Sequence, residues 1–464
     1  MTRLSISALL CLWLGACASS AISPQVQELT LPEQWTQVAA DENTLTQSDA
    51  GGWLLTLKSP ELVSLVSEAQ VGNHELARQF ARVQELAYTI TSEGADRWPG
   101  FDLDLGGNRS GTYPDQGADV YTESWQASLN LSWELDIWGK LSDRQRQAEL
   151  NYQAELATLR DQQIQLATDV ATGWFETIAN THLEALLSQR LHNVSDDLES
   201  LEQGFRRGLS PALDVYLSRN TVADSRVNLA RQQQTLQVSL SELQLLLGRY
   251  PDGSQIPLDN GLPDLDPVTA LGAPANLLQR RADIQQAWLS LLAADAELAV
   301  AHKDRFPGFS LTGSVGTASD ALHGLVDAGL SSWTIGASLS QPLFQAGRLK
   351  ALEEQARTRV KQAEQSYLYT VYNALAEVEQ SLAAEGALKE QLTAQRESRS
   401  NADLAYELSL QQYSRGLVDY TTVLESQRRA FDAETATIEL QNEAIANRIK
   451  LYRALGGDFS EANR

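Results

Sequence analysis

Between Ser124 and Leu141 the hydrophobic pattern changes period. Ala127, Leu129, Leu131, Trp133 and Leu135 alternate with Ser128, Asn130, Ser132 and Glu134. Strict alternation of this length predicts a β-strand with one apolar and one polar face. Gly139 breaks the pattern, and no Gly or Pro follows until Gly173, so a helix is expected from Gly139 onward. The same junction returns at Ser332–Leu349, where Trp333, Ile335, Ala337 and Leu339 alternate with polar positions before Gly347-Arg348-Leu349. Trp125 to Trp333 and Gly139 to Gly347 are each 208 residues apart. The offset also relates Arg97-Trp98-Pro99-Gly100-Phe101 to Arg305-Phe306-Pro307-Gly308-Phe309, Arg207-Gly208-Leu209 to Arg415-Gly416-Leu417, and Leu247-Gly248 to Leu455-Gly456. An offset that survives four landmarks without a gap marks an internal duplication.

Each repeat follows one programme. Ser59-Pro60 reads as a helix start, Ser at the cap and Pro first inside, and helical spacing runs from Leu62 through Ala87 to Trp98-Pro99. Phe101, Leu103 and Leu105 alternate with Asp102 and Asp104 as a first strand, Gly106–Glu123 reads as a loop, and the second strand completes a hairpin. The helix from Gly139 carries a stripe at Leu183, Leu187, Leu191, Val194, Leu198, Leu201 and Phe205. Such spacing buries one seam against another helix. From Gly139 to Phe205 is 67 residues, roughly 100 Å at about 1.5 Å per residue, so this helix is expected to project as a coiled-coil arm. Ser210 reads as the cap and Pro211 as the first residue of a returning helix with Leu236, Leu240, Leu243 and Leu247 on its seam. Repeat two has strands near Phe309–Val315 and Trp333–Ser340, and a return seam of small residues from Ala430 to Leu455. The expected divisions are a signal segment 1–16, a lipidated leader 17–58, repeat one 59–248, a Pro-rich linker 249–276, repeat two 277–456 and a tail 457–464.

Composition narrows the function. Thirty-six basic against sixty acidic residues leave a net charge of −24, which argues against binding nucleic acid or an anionic membrane through a basic surface. Five histidines and two cysteines exclude a His/Cys-rich metal site. Both cysteines lie in the first seventeen residues, where Arg3, an apolar stretch and small residues form a signal peptide too short to span a bilayer. Leu14-Gly15-Ala16-Cys17 resembles a bacterial lipobox, which would make Cys17 the lipidated N-terminus; the alternative is an ordinary signal peptide with a chance cysteine. Past the signal no run of eighteen apolar residues exists, so any membrane crossing falls to strands.

No P-loop, G-x-S-x-G or paired-histidine metal motif occurs; no cofactor, metal site or enzymatic activity is expected. Asp102, Asp104 and Glu134 share the polar face of strands whose other face is apolar. That suits a barrel wall, apolar to lipid and acidic to a water-filled lumen, or a solvent-facing sheet of a soluble sandwich. Trp98, Trp125, Trp133, Trp138 and Trp333 suit an interfacial belt. Two hairpins supply four strands, and open sheet edges cannot stand in hydrocarbon. Four strands leave no lumen, whereas twelve would, so at least three chains must close a ring.

These features together resemble the TolC-like outer-membrane factor family, in its lipoprotein efflux branch of the NodT type, over about Gly52 to Gly457. The more specific matches are Pro60-Glu61-Leu62 with Leu65-Val66, Ala69 and Asn73; Trp98-Pro99; Phe306-Pro307; Gly347-Arg348-Leu349; Tyr413–Leu417; and Leu277–Ile284, where Ala282 replaces the family's proline. The resemblance implies an α+β membrane protein: a homotrimer with a twelve-stranded outer-membrane β-barrel and a periplasmic α-helical coiled-coil barrel. Its implied partners are outer-membrane lipid, a periplasmic adaptor and an inner-membrane pump of the RND type. Docking tips would be Arg206, Arg207, Gly208, Leu209 and Ser210, with Arg415, Gly416, Leu417 and Val418. The gate would fall on Thr421, Glu425 and Arg428. Glu425 stands where an aspartate is usual and Thr421 where an apolar residue occurs, which implies a looser closure. The function implied is the passive exit duct of a tripartite efflux system for drugs, dyes or metal ions. Type I protein secretion is an alternative within the fold, a soluble periplasmic scaffold one from another class.

Overall fold

The computed structural model describes residues 31–32, 34–36, 52–112, 119–254, 256, 261–268, 273–327 and 332–457. Its elements repeat at the sequence offset. Helices α1 (Pro60–Gly72) and α2 (His74–Ala95) lead into strands β1 (Gly100–Thr112) and β2 (Val120–Leu135), then helices α3 (Lys140–Arg206) and α4 (Ala212–Leu246). After a helical turn at Leu277–Arg280 come α5 (Ala282–Lys303), β3 (Gly308–Ser319), β4 (Ser332–Ser340), α6 (Arg348–Ser414) and α7 (Tyr420–Ala454). The bounds of α3 and α4 become those of α6 and α7 on adding 208.

The chain forms two compact units. The first, built from 82–156 and 286–368, holds one antiparallel sheet in the order β1-β2-β3-β4. The two hairpins are therefore fused, with Trp125 opposite Ser319 and Leu135 opposite Phe309. Below the sheet Leu141, Leu291, Ala296 and Ala356 are buried. Lys303 donates to the Asp143 carboxylate at 2.5 Å, and Arg305 donates to Glu353 at 2.5 Å. Asp136 caps α3, accepting from the backbone N–H of Leu141 and Ser142 at 2.9 Å each.

The sheet corrects the expected loop at Gly106–Glu123, because β1 runs to Thr112 and β2 starts at Val120. Ladder bonds are made by backbone, so a Gly-rich stretch can stay paired when its partner supplies the side chains. Here the Trp125 ring lies over Gly107: a Cβ on Gly107 would fall 2.5 Å from the indole. Glycine within a strand signals close approach of another group, and that is its use at this position.

The second unit, from 30–81, 157–285 and 369–464, is helical. Leu62, Val66, Ala69, Val170, Trp174, Leu243, Ile284, Ile445 and Ile449 form its interior. The expected seams on α4 and α7 are buried at Leu236, Leu240, Leu243, Leu247, Ala430, Ala433, Thr437 and Leu451, whereas Phe205 at the end of the α3 stripe is exposed. Ser59 makes no side-chain cap bond, and its hydroxyl instead accepts from the buried Trp174 indole at 3.1 Å.

The helix expected as continuous from Leu62 is interrupted at Asn73, which is extended (φ −70°, ψ 122°). Its Oδ1 accepts from the N–H of Glu75 and Leu76 while its Nδ2 donates to the Leu246 carbonyl at 3.0 Å. Repeat two breaks at the equivalent Arg281 (φ −78°, ψ 123°), whose Nη1 donates to the equivalent Ala454 carbonyl at 3.1 Å. Different side chains thus do the same job. Gly248 (φ 74°) makes the crossing possible, since a Cβ there would lie 2.1 Å from the Gly72 oxygen.

Candidate functional site

The sheet presents two chemically distinct faces. On one, Phe101, Leu103 and Leu105 stand opposite Leu131, Leu129 and Ala127; Leu129, Trp133 and Leu135 stand opposite Val315, Leu311 and Phe309; and Trp333, Ile335 and Leu339 continue it on β4. Leu105 is 74%, Trp333 74% and Ile335 73% exposed. A contiguous apolar face open on this scale marks contact with lipid or another protein. The opposite face carries Asp102, Asp104, Ser128, Asn130, Ser132 and Glu134. Asn130 Nδ2 donates to Asp104 at 2.6 Å, Ser310 and Ser338 hydroxyls meet at 2.7 Å, and Glu134 pairs with Lys140 at 2.7 Å. The three acidic residues singled out from the sequence therefore share one face. Among the described residues both outer strands, β1 and β4, have one neighbour only.

Tryptophans gather at one end of the strands. Trp133 Nε1 donates to the Arg97 carbonyl at 3.0 Å, Trp138 Nε1 donates to the Pro307 carbonyl at 2.8 Å, and Trp138 meets Phe306 edge-on. Trp98, next to Arg97 in sequence, is exposed, whereas Trp125 and Trp333 lie toward the other end.

In the helical unit both hairpin turns have one design. Gly208 (φ 73°) ends α3, with Leu209 N–H donating to the Gly204 carbonyl at 2.9 Å; Gly416 (φ 72°) ends α6, with Leu417 N–H donating to the Gln412 carbonyl at 3.0 Å. Such left-handed closures favour glycine. They push Leu209 and Leu417 outward, 78% and 69% exposed. Ser210 does not cap the returning helix, as the sequence suggested. Pro211 occupies that position, and the Ser210 hydroxyl lies against Gly204, where an added Cβ would be 2.4 Å away.

Behind the turns Leu201, Val215, Tyr420 and Val423 form a small apolar core with Leu198, Tyr406 and Tyr413. Burial pushes the Tyr420 hydroxyl up to about 12. Gln427 bridges the core, donating to Asp197 at 3.2 Å and to the Tyr406 hydroxyl at 3.0 Å, and burial raises the Asp197 carboxyl above its ordinary value. Thr421, Glu425 and Arg428 fall on the opposite, exposed face of α7. Within the chain Glu425 accepts from Arg429 at 2.8 Å and from Arg428 at 2.9 Å, and Arg428 also donates to Asp432 at 3.0 Å. These bonds from Arg429 and Arg428 hold the Glu425 carboxyl below its usual range. Cys17 lies outside the described residues.

One buried ionic cluster had no signal in periodicity. Arg281 is buried and held by Asp283 at 2.6 Å and Glu377 at 2.7 Å. Burial opposes its charge, yet the two carboxylates outweigh that and raise its pKa. The doubled arginine at Arg280-Arg281 beside Asp283 was the available clue.

Among the described residues no helix is long and apolar enough to cross a membrane. The outer membrane efflux protein family matches residues 65–249 and again 273–457. The solvent efflux pump outer membrane protein of Pseudomonas putida is 33% identical over 87% of this chain and 86% of its own length. The cation efflux system protein CusC of Escherichia coli is 29% identical over 95% of this chain and 97% of its own. A membrane protein of Pseudomonas aeruginosa shares the fold at a TM-score of 0.84, with 28% identity over 94% of this chain and all of the other. Matched twice along its length and sharing that fold almost end to end, this chain belongs to the outer membrane efflux protein family.

Proposed function

We propose that the chain is the exit duct of a tripartite efflux system, in which three copies close their sheets into a twelve-stranded barrel in the outer membrane. The observation that carries this reading is the four-stranded sheet with an exposed apolar face, a polar opposite face and two single-neighbour edges. Hydrocarbon tolerates the face but not the edges. Twelve strands enclose water where four cannot, and Asp102, Asp104 and Glu134 then line the lumen as a cation-friendly surface. The helical hairpins form the periplasmic conduit, and the duct is passive, with no enzymatic activity of its own.

The exposed leucines at Arg206–Ser210 and Arg415–Val418 serve as docking tips for a periplasmic adaptor linked to an inner-membrane pump of the RND type. Thr421, Glu425 and Arg428 ring the entrance, where three copies bring their arginines and carboxylates together. Cys17 carries acyl chains that add to the barrel's hold on the membrane; two or more such chains anchor stably where one is marginal. The cargo is small molecules: drugs, dyes or metal ions. Deleting the gene should sensitise cells to at least one such class. Complementation by the parent should restore resistance, and a Leu209→Asp/Leu417→Asp variant should not, although its trimers reach the outer membrane. Full resistance with the tip variant would refute tip docking. Resistance unaffected by deletion across solvents, dyes, antibiotics and metals would refute efflux.

A further inference from the structure

The two repeats differ where the linker crosses the second helical hairpin. A cavity of about 270 Å³ lies between α6, α7 and the linker segment 263–267. Leu265, Leu388, Leu392 and Ala444 give it an apolar wall, and Lys389, Arg396 and Arg448 bring cations to its lining. At the 208-residue offset the three cations become Thr181, Ser188 and Leu240, and Ala444 becomes Leu236. Leu236 and Leu240 are both buried. Repeat one thus packs leucines where repeat two has space and positive charge.

The acidic residues at the cavity are already paired. Asp264 accepts from Arg396 at 2.5 Å, Asp266 from Lys58 at 2.9 Å, and Glu385 from Arg448. Arg448 also donates from Nη1 to the Asp266 carbonyl at 2.7 Å. It is only 4% exposed, yet among the described residues its Nε has no hydrogen-bond partner. An unpaired buried donor is costly, and more so on a charged group. Lys389 has no acidic partner among the described residues. It stands one helical turn from Glu385, the carboxylate that holds Arg448, which roots its side chain at the Arg448 end of the cavity. Lys58, Lys389, Arg396 and Arg448 against Asp264, Asp266 and Glu385 leave one positive charge unmatched, in a chain whose net charge is −24.

We propose that this cavity binds a small organic monoanion, a carboxylate carried on an apolar body. The carboxylate accepts from the Lys389 ammonium and from Arg448 Nε, as charge-assisted bonds, and the body lies on Leu265, Leu388 and Leu392. A cation would meet the unmatched positive charge, and an inorganic anion would leave the leucine wall unused. The volume is at the small end of ligand pockets, which suits a single ring rather than a drug-sized molecule. Pro263 and Pro267 bracket the linker segment and fix its backbone, so little ordering is needed on binding. The site is complete within one chain. Occupancy ties the linker to repeat two and stabilises the folded protein by mass action.

Calorimetric titration of the purified full chain with 4-phenylbutyrate, and with the neutral 4-phenylbutanamide of the same shape, tests the site. The carboxylate should bind saturably at one site per chain and raise the melting temperature, and the amide should bind at least about tenfold more weakly. Lys389→Glu, a change at an exposed side chain, should weaken the carboxylate at least about tenfold while the unliganded protein melts as the parent does. Ala444→Leu restores the residue found in repeat one and should abolish binding by filling the space, whereas Lys361→Glu, elsewhere on α6, should bind as the parent does. Equal binding of acid and amide overturns the anion specificity. Binding unchanged in both Lys389→Glu and Ala444→Leu places the ligand elsewhere and overturns the site. No saturable binding by the folded parent at millimolar carboxylate overturns the proposal outright.

Discussion

Leu131 is the central member of the Ala127–Leu135 apolar run, and the two faces of the sheet can be tested there. It stands opposite Phe101 on β1 and Gly313 on β3. Its Cβ and Cδ2 lie 3.6 Å from where a Cβ on Gly313 would be, so its side chain covers that glycine. Ser132, one residue on, faces the other way between Gly100 and Thr312. Replacing Leu131 by Arg places a guanidinium on the apolar face two residues from Trp133, at a cost whose ceiling is the midplane value of about 2–4 kcal/mol per copy. Three copies set that ceiling at about 6–12 kcal/mol per trimer on the same scale, which at about 1.4 kcal/mol per decade bounds the fall of the assembly constant at about four to nine decades. Ser132→Arg puts the same charge into water-filled space and avoids that penalty. The assay is the yield of folded trimer in outer-membrane fractions at matched expression. Leu131→Arg should deplete trimer strongly while Ser132→Arg stays near the parent. Equal yields, or the reverse order, would refute the assignment of the apolar face to lipid.

Four further outcomes are expected. Arg281→Met leaves Asp283, Glu377 and the Ala454 carbonyl without their shared donor; it should destabilise the helical unit by about 3–5 kcal/mol in chemical denaturation, and adding Glu377→Gln should recover part of the loss. Burial raises the Asp197 carboxyl, so the folded state binds its proton more tightly than the unfolded chain and the charge costs stability at neutral pH. That cost shrinks as pH falls through the raised value and is gone below the ordinary one; Asp197→Asn should therefore melt higher than the parent at neutral pH and match it near about pH 3. Replacing Glu425 and Arg428 together by Ala should raise single-channel conductance without lowering trimer yield, and unchanged conductance in assembled trimers would place the constriction elsewhere. Gly248→Ala should cost about 3 kcal/mol or more by melting, from strain plus collision with Gly72, whereas Gly208→Ala, with equal φ and nothing within 4 Å, should cost only about 1–2 kcal/mol.

The sequence by itself determined everything that has a short period or a fixed offset. Alternation through Ala127–Leu135 assigns both strand faces, because successive side chains on a strand point opposite ways whatever the partner. The 208-residue offset assigns the duplication, and the leucine and alanine seams assign the long hairpins. Their glycine turns are legible because Gly208 and Gly416 occupy a conformation that other residues avoid. Asp102, Asp104 and Glu134 could be placed on one face for the same reason.

Tertiary structure decided what depends on distant backbone. Asn73 and Arg281 break their helices by bonding to carbonyls at Leu246 and Ala454, 173 residues away in each case, and no local pattern reports a partner that far along the chain. The Gly106–Thr112 stretch remains strand because β2 supplies ladder bonds and a tryptophan ring, although its own residues read as loop. Fusion of the hairpins through β2 and β3 is likewise a pairing choice, invisible to a periodicity that each strand satisfies alone. At Glu425 the spacing to Arg428 placed both on one helical face, but only the fold showed the arginine already bonded within its own chain. Local spacing fixes which way a side chain points. What it meets there is set by residues that folding brings from elsewhere.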